Sequence, residues 1–212
     1  MGAGKPMAAL GLLFGAAALT VQFFLIVPAE LGLGRSLPVA LVSFFSYFTI
    51  LTNLALVLVY AAALFPGRGL SPFRHPVVRA SAAASIVLVM GFYHLLLSGL
   101  WNPQGLYKVT DVALHYLAPV AYLAWWAAYV PHGRLAWRDV LLMLAPSLAY
   151  LVYIMARGAL VHEYPYAILA ADELGYGQVA INAVFVALAL ALISAVLIAA
   201  DKILPAGRLA DA

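Results

Sequence analysis

Residues 36–67 read SLPVALVSFFSYFTILTNLALVLVYAAALFPG, a run with no charged side chain between Arg35 and Arg68. About 30 Å of hydrocarbon is crossed by roughly 20 apolar residues at 1.5 Å per residue, so this stretch reads as a membrane helix with length to spare. Five other uncharged stretches accompany it: Lys5 to Glu30, Arg79 to Lys108, Asp111 to His132, Asp139 to Arg157 and Glu173 to Asp201. The shortest, Val140 to Ala156, gains reach from Trp137 and a snorkelling Arg157. None alternates with the period of two that a barrel strand requires. The chain is therefore expected to be an all-α, polytopic six-helix transmembrane bundle, one membrane domain over 1–212. The spans are expected at about 7–27, 38–64, 79–100, 112–130, 138–157 and 177–200.

Composition points the same way. Of 212 residues, 67% are hydrophobic and 9% charged, against about 25% charged in soluble domains. Cysteine is absent, which excludes disulfide scaffolds, cysteine-ligated zinc or iron–sulfur centres and thiol nucleophiles. Chemistry is left to hydroxyls, His, carboxylates and amides, and no metal or cofactor site is expected. The net charge of +3 is not clustered as nucleic-acid binding would require. The apolar run after Lys5 is too long for the 7–15-residue core of a signal peptide.

The basic residues divide unevenly between the two sets of connections. Lys5, Arg68, Arg74, Arg79, Arg134, Arg138, Lys202 and Arg208 fall on one side, and Arg35, Lys108 and Arg157 on the other. The positive-inside rule makes the first side cytoplasmic, with both termini there. Tyr164-Pro165-Tyr166 is then outside.

Polar groups inside hydrocarbon are costly, so they mark where function is to be sought. The second span carries Ser43, Ser46, Thr49, Thr52 and Asn53. On a 3.6-residue helix Ser46, Thr49 and Asn53 share a face, with Thr52 on its flank. Ser and Thr in such helices commonly bond a carbonyl one turn back, whereas an amide such as Asn53 demands a polar partner across the bundle. The third and fourth spans each supply one His, His94 and His115.

Depth relates these residues. Counting from Tyr60 at the inner end of the second span puts Thr49 roughly 13 Å below the outer surface. Counting from Trp125-Trp126 puts His115 at roughly the same depth, and His94 lies roughly 10 Å beneath Trp101. A Thr hydroxyl needs a base to become nucleophilic, and neutral imidazole is the usual one, so Thr49 with His115 is the candidate catalytic pair. Asp111, one turn before His115, fits two compatible roles: it caps the fourth helix, or it orients the imidazole.

The segment Tyr47-Phe48-Thr49 running to Thr52-Asn53, then Asp111-Val-Ala-Leu-His115 followed by Pro119 and Trp126, resembles a known family. Trp137-Arg138, Pro146 with Tyr150, Arg157-Gly158, Tyr164-Pro165-Tyr166 and Gly175-Tyr176-Gly177 follow in the same order. The family is that of the androgen-induced membrane proteins of animals and their prokaryotic six-transmembrane relatives. The resemblance implies an intramembrane threonine hydrolase of fatty-acid esters of hydroxy fatty acids, with Thr49 as nucleophile and His115 as base. It implies a bacterial cytoplasmic membrane as location. The Thr-Asn after Thr49 follows the prokaryotic branch, so the substrate of the animal proteins need not carry over. His94 matches none of the family's essential residues.

Three functions fit these residues. The preferred one is a hydrolase or acyl-transferring enzyme on a membrane lipid ester, with Ser46, Thr52, Asn53, His94 and Asp111 binding substrate or supporting the pair, and Asn53, Ser46 or a Tyr hydroxyl facing the oxyanion. The second is a binder or transporter of a small amphiphile; transporters show repeats and broken helices, and neither is read in the sequence. The third is a haem or quinone subunit held by His94 and His115.

Overall fold

The computed structural model describes residues 3–100 and 102–205; Trp101 and Arg208 lie outside the described residues. Among the described residues there are eight α-helices and no strand: α1 (Gly4–Gly32), α2 (Leu37–Phe44), α3 (Phe48–Leu64), α4 (Pro76–Phe92), α5 (Leu106–Val112), α6 (Ala118–Tyr129), α7 (Asp139–Val161) and α8 (Ala171–Ile203). Four helices are long and apolar enough to cross a membrane: α1, α4 with its continuation to Leu97, α7 and α8. The pair α2 and α3 makes a fifth, bent by 75° at its break. The residues expected to form a span at 112–130 lie in α5 and α6, joined without interruption by the π-helical turn Ala113–Leu117, and are not among those four or five.

Two sequence expectations are corrected here. The span at 38–64 is not one helix. Its break at Phe45–Tyr47 is held by neighbours, since the Ser46 hydroxyl donates to the Val42 carbonyl at 2.7 Å and the Tyr150 hydroxyl of α7 donates to the Ser46 carbonyl at 2.8 Å. Backbone freed from a membrane helix persists only where such groups satisfy it. Ser46 therefore leaves the face that a continuous helix would have shared with Thr49 and Asn53. Asp111 does not cap a helix either. The fourth span begins earlier, at Leu106, because Gly105 adopts φ +59° and turns the chain into α5, which leaves Asp111 buried well inside the helix.

The core is built on α4. Ala80 to Ile86 are all buried, and their small side chains let other helices come close. Tyr60 of α3 and Tyr122 and Trp125 of α6 cluster against it, with ring centroids 5.0–5.8 Å apart. The buried polar tips of two of them find carbonyls: Tyr122 donates to Arg79 and Trp125 to Gly4, at 2.9 and 3.1 Å. Gly11 of α1 lies flat under the Tyr60 ring, which leaves no room for a Cβ. Outward faces of α1, α7 and α8 carry exposed Leu10, Leu13, Phe24, Leu141, Val152, Leu188 and Leu192. Apolar side chains turned outward along long helices suit a lipid surround.

Candidate active site

Thr49 stands in the first turn of α3, just past the break. Its hydroxyl lies 3.4 Å from Nε2 of His115. The other ring nitrogen, Nδ1, has its N–H on the Asp111 backbone carbonyl at 3.0 Å, with the Asp111 carboxylate alongside at 3.2 Å. Nδ1 therefore carries the proton, and Nε2 presents its lone pair to the Thr49 hydroxyl. Tyr93 completes the group. Its ring stacks on the imidazole with centroids 3.8 Å apart and planes 18° from parallel, and its hydroxyl donates to the far oxygen of Asp111.

Both helices that meet Thr49 change pitch here. Tyr93–Leu97 continues α4 as a π turn, and His115 lies in the π turn between α5 and α6. A π turn rotates the residues after it relative to an α-helix, and such turns gather at functional sites. Asn53 ties the two sides together. Its amide nitrogen donates to the Thr49 carbonyl at 2.9 Å and to the Leu114 carbonyl at 3.2 Å. The polar partner that the sequence demanded for Asn53 is thus a backbone carbonyl of the π turn beside His115, and both amide hydrogens are used.

The other expected residues divide. Ser46 is buried and spent on Val42 and on the Tyr153 hydroxyl at 3.1 Å, so it is not positioned as a nucleophile or an oxyanion donor. Thr52 is buried in α3 and is not among the groups bonded to Thr49 or His115. His94 faces outward, and its Nδ1 pairs with the Tyr116 hydroxyl at 3.1 Å. Tyr93, the residue before His94, is the side chain turned to the site. The nitrogens of His115 meet Asp111 and Thr49, and Nδ1 of His94 meets Tyr116.

A cavity of about 330 Å³ opens beside Thr49. Leu88, Phe92 and Leu97 from the α4 arm, Leu144 and Leu151 of α7, and Val186 and Leu190 of α8 make most of its wall. Thr49, Tyr93, Ser147, Tyr150 and Tyr166 bring hydroxyls to it. The Ser147 hydroxyl is buried without a partner. Leu96, Leu100 and Leu148 belong both to this wall and to the exposed apolar surface, so the cavity opens onto that surface.

Over one end of it runs the segment 162–170. Glu163 is gripped by Arg35 at 3.0 Å and by Arg157 at 2.8 Å, and Arg35 also pairs with Glu30 at 3.0 Å. Tyr164 packs flat on Gly158, where any Cβ would collide with the ring. Asn182 of α8 donates to the Ile168 carbonyl at 2.8 Å. Between these fixed points Tyr166 turns down beside Thr49. Sequence reading had Tyr166 in a motif without a role, and it missed Tyr93 and Ser147 altogether; tyrosines near a membrane boundary are common, and only the fold separates these from the rest.

Among the described residues no three His, Asp or Glu side chains gather as a metal site. Comparison of the chain with family models, with characterised proteins and with solved structures yields no match.

Proposed function

We propose that the chain is an intramembrane threonine hydrolase, or an acyl-transferring enzyme, acting on a lipid ester. It crosses the membrane six times, counting the broken α2–α3 and the continuous α5–α6 as one span each, with both termini cytoplasmic. The observation that carries the reading is the lone pair of His115 Nε2 facing the Thr49 hydroxyl at the wall of an apolar, lipid-facing cavity. The separation of 3.4 Å is long for a hydrogen bond, and such contacts commonly tighten when substrate arrives. The resemblance to the prokaryotic relatives of the androgen-induced membrane proteins points the same way.

In this reading the acyl chain lies among the leucines and its ester carbonyl reaches Thr49. The Thr49 proton passes to His115 Nε2 while the oxygen bonds to the carbonyl carbon and the carbonyl electron pair moves onto oxygen. When that pair returns, the bond to the alcohol breaks, and the leaving oxygen takes the proton from Nε2. Water repeats the steps on the acyl-threonine, frees the acid and restores Thr49; a second alcohol in place of water gives acyl transfer. Asp111 steadies the imidazolium that forms between the steps.

A fluorophosphonate probe applied to the purified protein tests this. Labelling of wild type that disappears in Thr49→Ala and in His115→Ala is the expected result. Equal labelling and ester turnover in Thr49→Ala would remove Thr49 as nucleophile. The broken α2–α3 favours one competing function, a transporter of a small amphiphile, because broken helices line transporter sites. That reading predicts tight binding without turnover.

A further inference from the structure

The cavity beside Thr49 has two unlike ends. Leu100 at the end of the α4 arm and Leu148 of α7 stand at the open one. The other is shut by Leu88 of α4, Leu144 of α7 and Leu190 of α8; Leu88 is 6% exposed and Leu190 1%. Helix rise fixes how far away that shut end is. Leu88 precedes Tyr93 by five residues and Leu144 precedes Tyr150 by six, so both lie roughly 7–9 Å from the level of the site. They lie on the same side of it, because Ser81 of α4 donates to the Met143 carbonyl of α7 at 3.0 Å and both helices run from that bond toward the site. On α8 the wall is cut back at Ala183 and Ala187, one turn apart, before Leu190 closes it.

We infer that the shut end measures the acyl chain: the substrate is an ester of a medium-chain acid of about eight carbons, and Ala187 and Leu190 are the specificity-determining residues. The inference rests on the proposed hydrolase reading and names its substrate class. The alcohol leaves first and the acyl group stays on Thr49, so the open side suits the departing alcohol and the shut arm the chain that remains. An extended chain advances about 1.2 Å per bond, so roughly 7–9 Å holds six or seven bonds, or about eight carbons. Volume agrees. The cavity of about 330 Å³ has room for roughly eleven methylene-sized groups at about 30 Å³ each, and part of that room belongs to the open side.

Fit, and not hydrophobicity, selects the length. Lipid tails are as apolar as Leu, so a methylene gains little by leaving a bilayer or micelle for this cavity. A short chain leaves the far leucines without contact atoms. A chain too long meets Leu88 and Leu190, whose neighbours in the core are packed and resist displacement. Ala187 lies three residues before Leu190 on the same helix face, so a larger side chain there leans back over the arm and shortens it.

The test is a length profile. p-Nitrophenyl esters from butanoate to hexadecanoate are offered at equal mole fraction in the same detergent micelles, and kcat/KM is taken per site labelled at saturation by a fluorophosphonate. Wild type is expected to peak near octanoate and to fall at least about tenfold by hexadecanoate. Ala187→Leu adds three carbons to the wall and should move the peak about two to three carbons shorter; Leu190→Ala removes three and should move it as far the other way. Leu100→Ala, on the open side, should leave the peak in place. A flat wild-type profile, with turnover still abolished in Thr49→Ala, would overturn the inference and leave the hydrolase reading standing. Uniform losses at all lengths in Ala187→Leu and Leu190→Ala, with the peak unmoved, would make both packing residues and overturn it too. If wild type shows no turnover that depends on Thr49, the hydrolase reading fails, and this inference fails with it.

Discussion

Two histidine–aspartate pairs lie near the two ends of α6, and they differ in what the far nitrogen meets. In both, Nδ1 of the imidazole is 3.2 Å from a carboxylate oxygen, Asp111 for His115 and Asp201 for His132. At His132 the other nitrogen meets the Ala127 carbonyl at 3.2 Å, and the second Asp201 oxygen takes the Leu135 amide at 2.9 Å. Both ring nitrogens and both carboxylate oxygens of that pair have partners in the chain, and the imidazole is wholly buried. It fastens the loop after α6 to the end of α8, helped by Gly133 donating to the Asp201 carbonyl at 2.9 Å. At His115 the far nitrogen keeps a lone pair for a hydroxyl at a cavity wall, and the ring is 14% exposed. The same two residue types make a fastening in one place and, in the proposed reading, a base in the other, and the third partner decides which.

The sharpest way to break this contrast is to remove each imidazole. His115→Ala should lower turnover by at least about 10⁴-fold, Thr49→Ala should match it, and the double variant should be little worse than either, as for groups that act as a unit. Additive losses in the double variant would mean the two do not act together. His132→Ala should leave kcat per labelled site unchanged while stability falls by about 3–5 kcal/mol, since it strands a buried carboxylate. A lowered thermal midpoint with unaltered kcat checks it; an equal loss of kcat at the two histidines would erase the distinction.

Asp111→Asn is expected to act more mildly than a triad aspartate would. The Nδ1 proton of His115 is directed by the Asp111 backbone carbonyl, which the substitution keeps. What is lost is the carboxylate charge beside the imidazolium, about 1.5–3 kcal/mol or roughly 10–100-fold in kcat. A loss as large as that of His115→Ala would show that the carboxylate itself sets the tautomer. Tyr93→Phe keeps the stacked ring and removes one hydrogen bond to Asp111, so a fall of about tenfold or less is expected, read from the pH dependence of kcat/KM. The smallest effect belongs to the ion pairs of Glu163. Glu163→Gln weakens a partly exposed clasp, so about 1 kcal/mol or less of stability is at stake, with KM rising more than kcat falls. An unchanged KM would show that the strap needs no clasp.

Helices long and apolar enough to cross a membrane were legible in the sequence because their signal is local: a run of some 20 apolar residues needs no partner to be recognised. Thr49, Asn53, Asp111 and His115 were legible too, as polar groups that hydrocarbon does not tolerate without cause. What could not be read was the direction in which they point. A continuous second helix would have put Ser46 beside Thr49, but the break after Phe44 is held by Tyr150, which donates to the Ser46 carbonyl, and by Tyr153, whose hydroxyl meets that of Ser46, both about a hundred residues later. The π turns moved Tyr93 into the site and left His94 outside it.

Composition and hydropathy by themselves therefore determined the class of the protein, all-helical with several helices long and apolar enough to cross a membrane, since that follows from runs of apolar residues along a helix of fixed rise. Only the tertiary structure decided which of the polar residues meet. A side chain's azimuth around a membrane helix changes with each break or inserted residue, and those irregularities are held in place by contacts from helices distant in the chain. The strap that brings Tyr166 to Thr49 is the extreme case: 117 positions separate the two residues. Nothing within either segment predicts their meeting except the ion pairs, the Gly158 notch and the Asn182 bond that the folded bundle supplies.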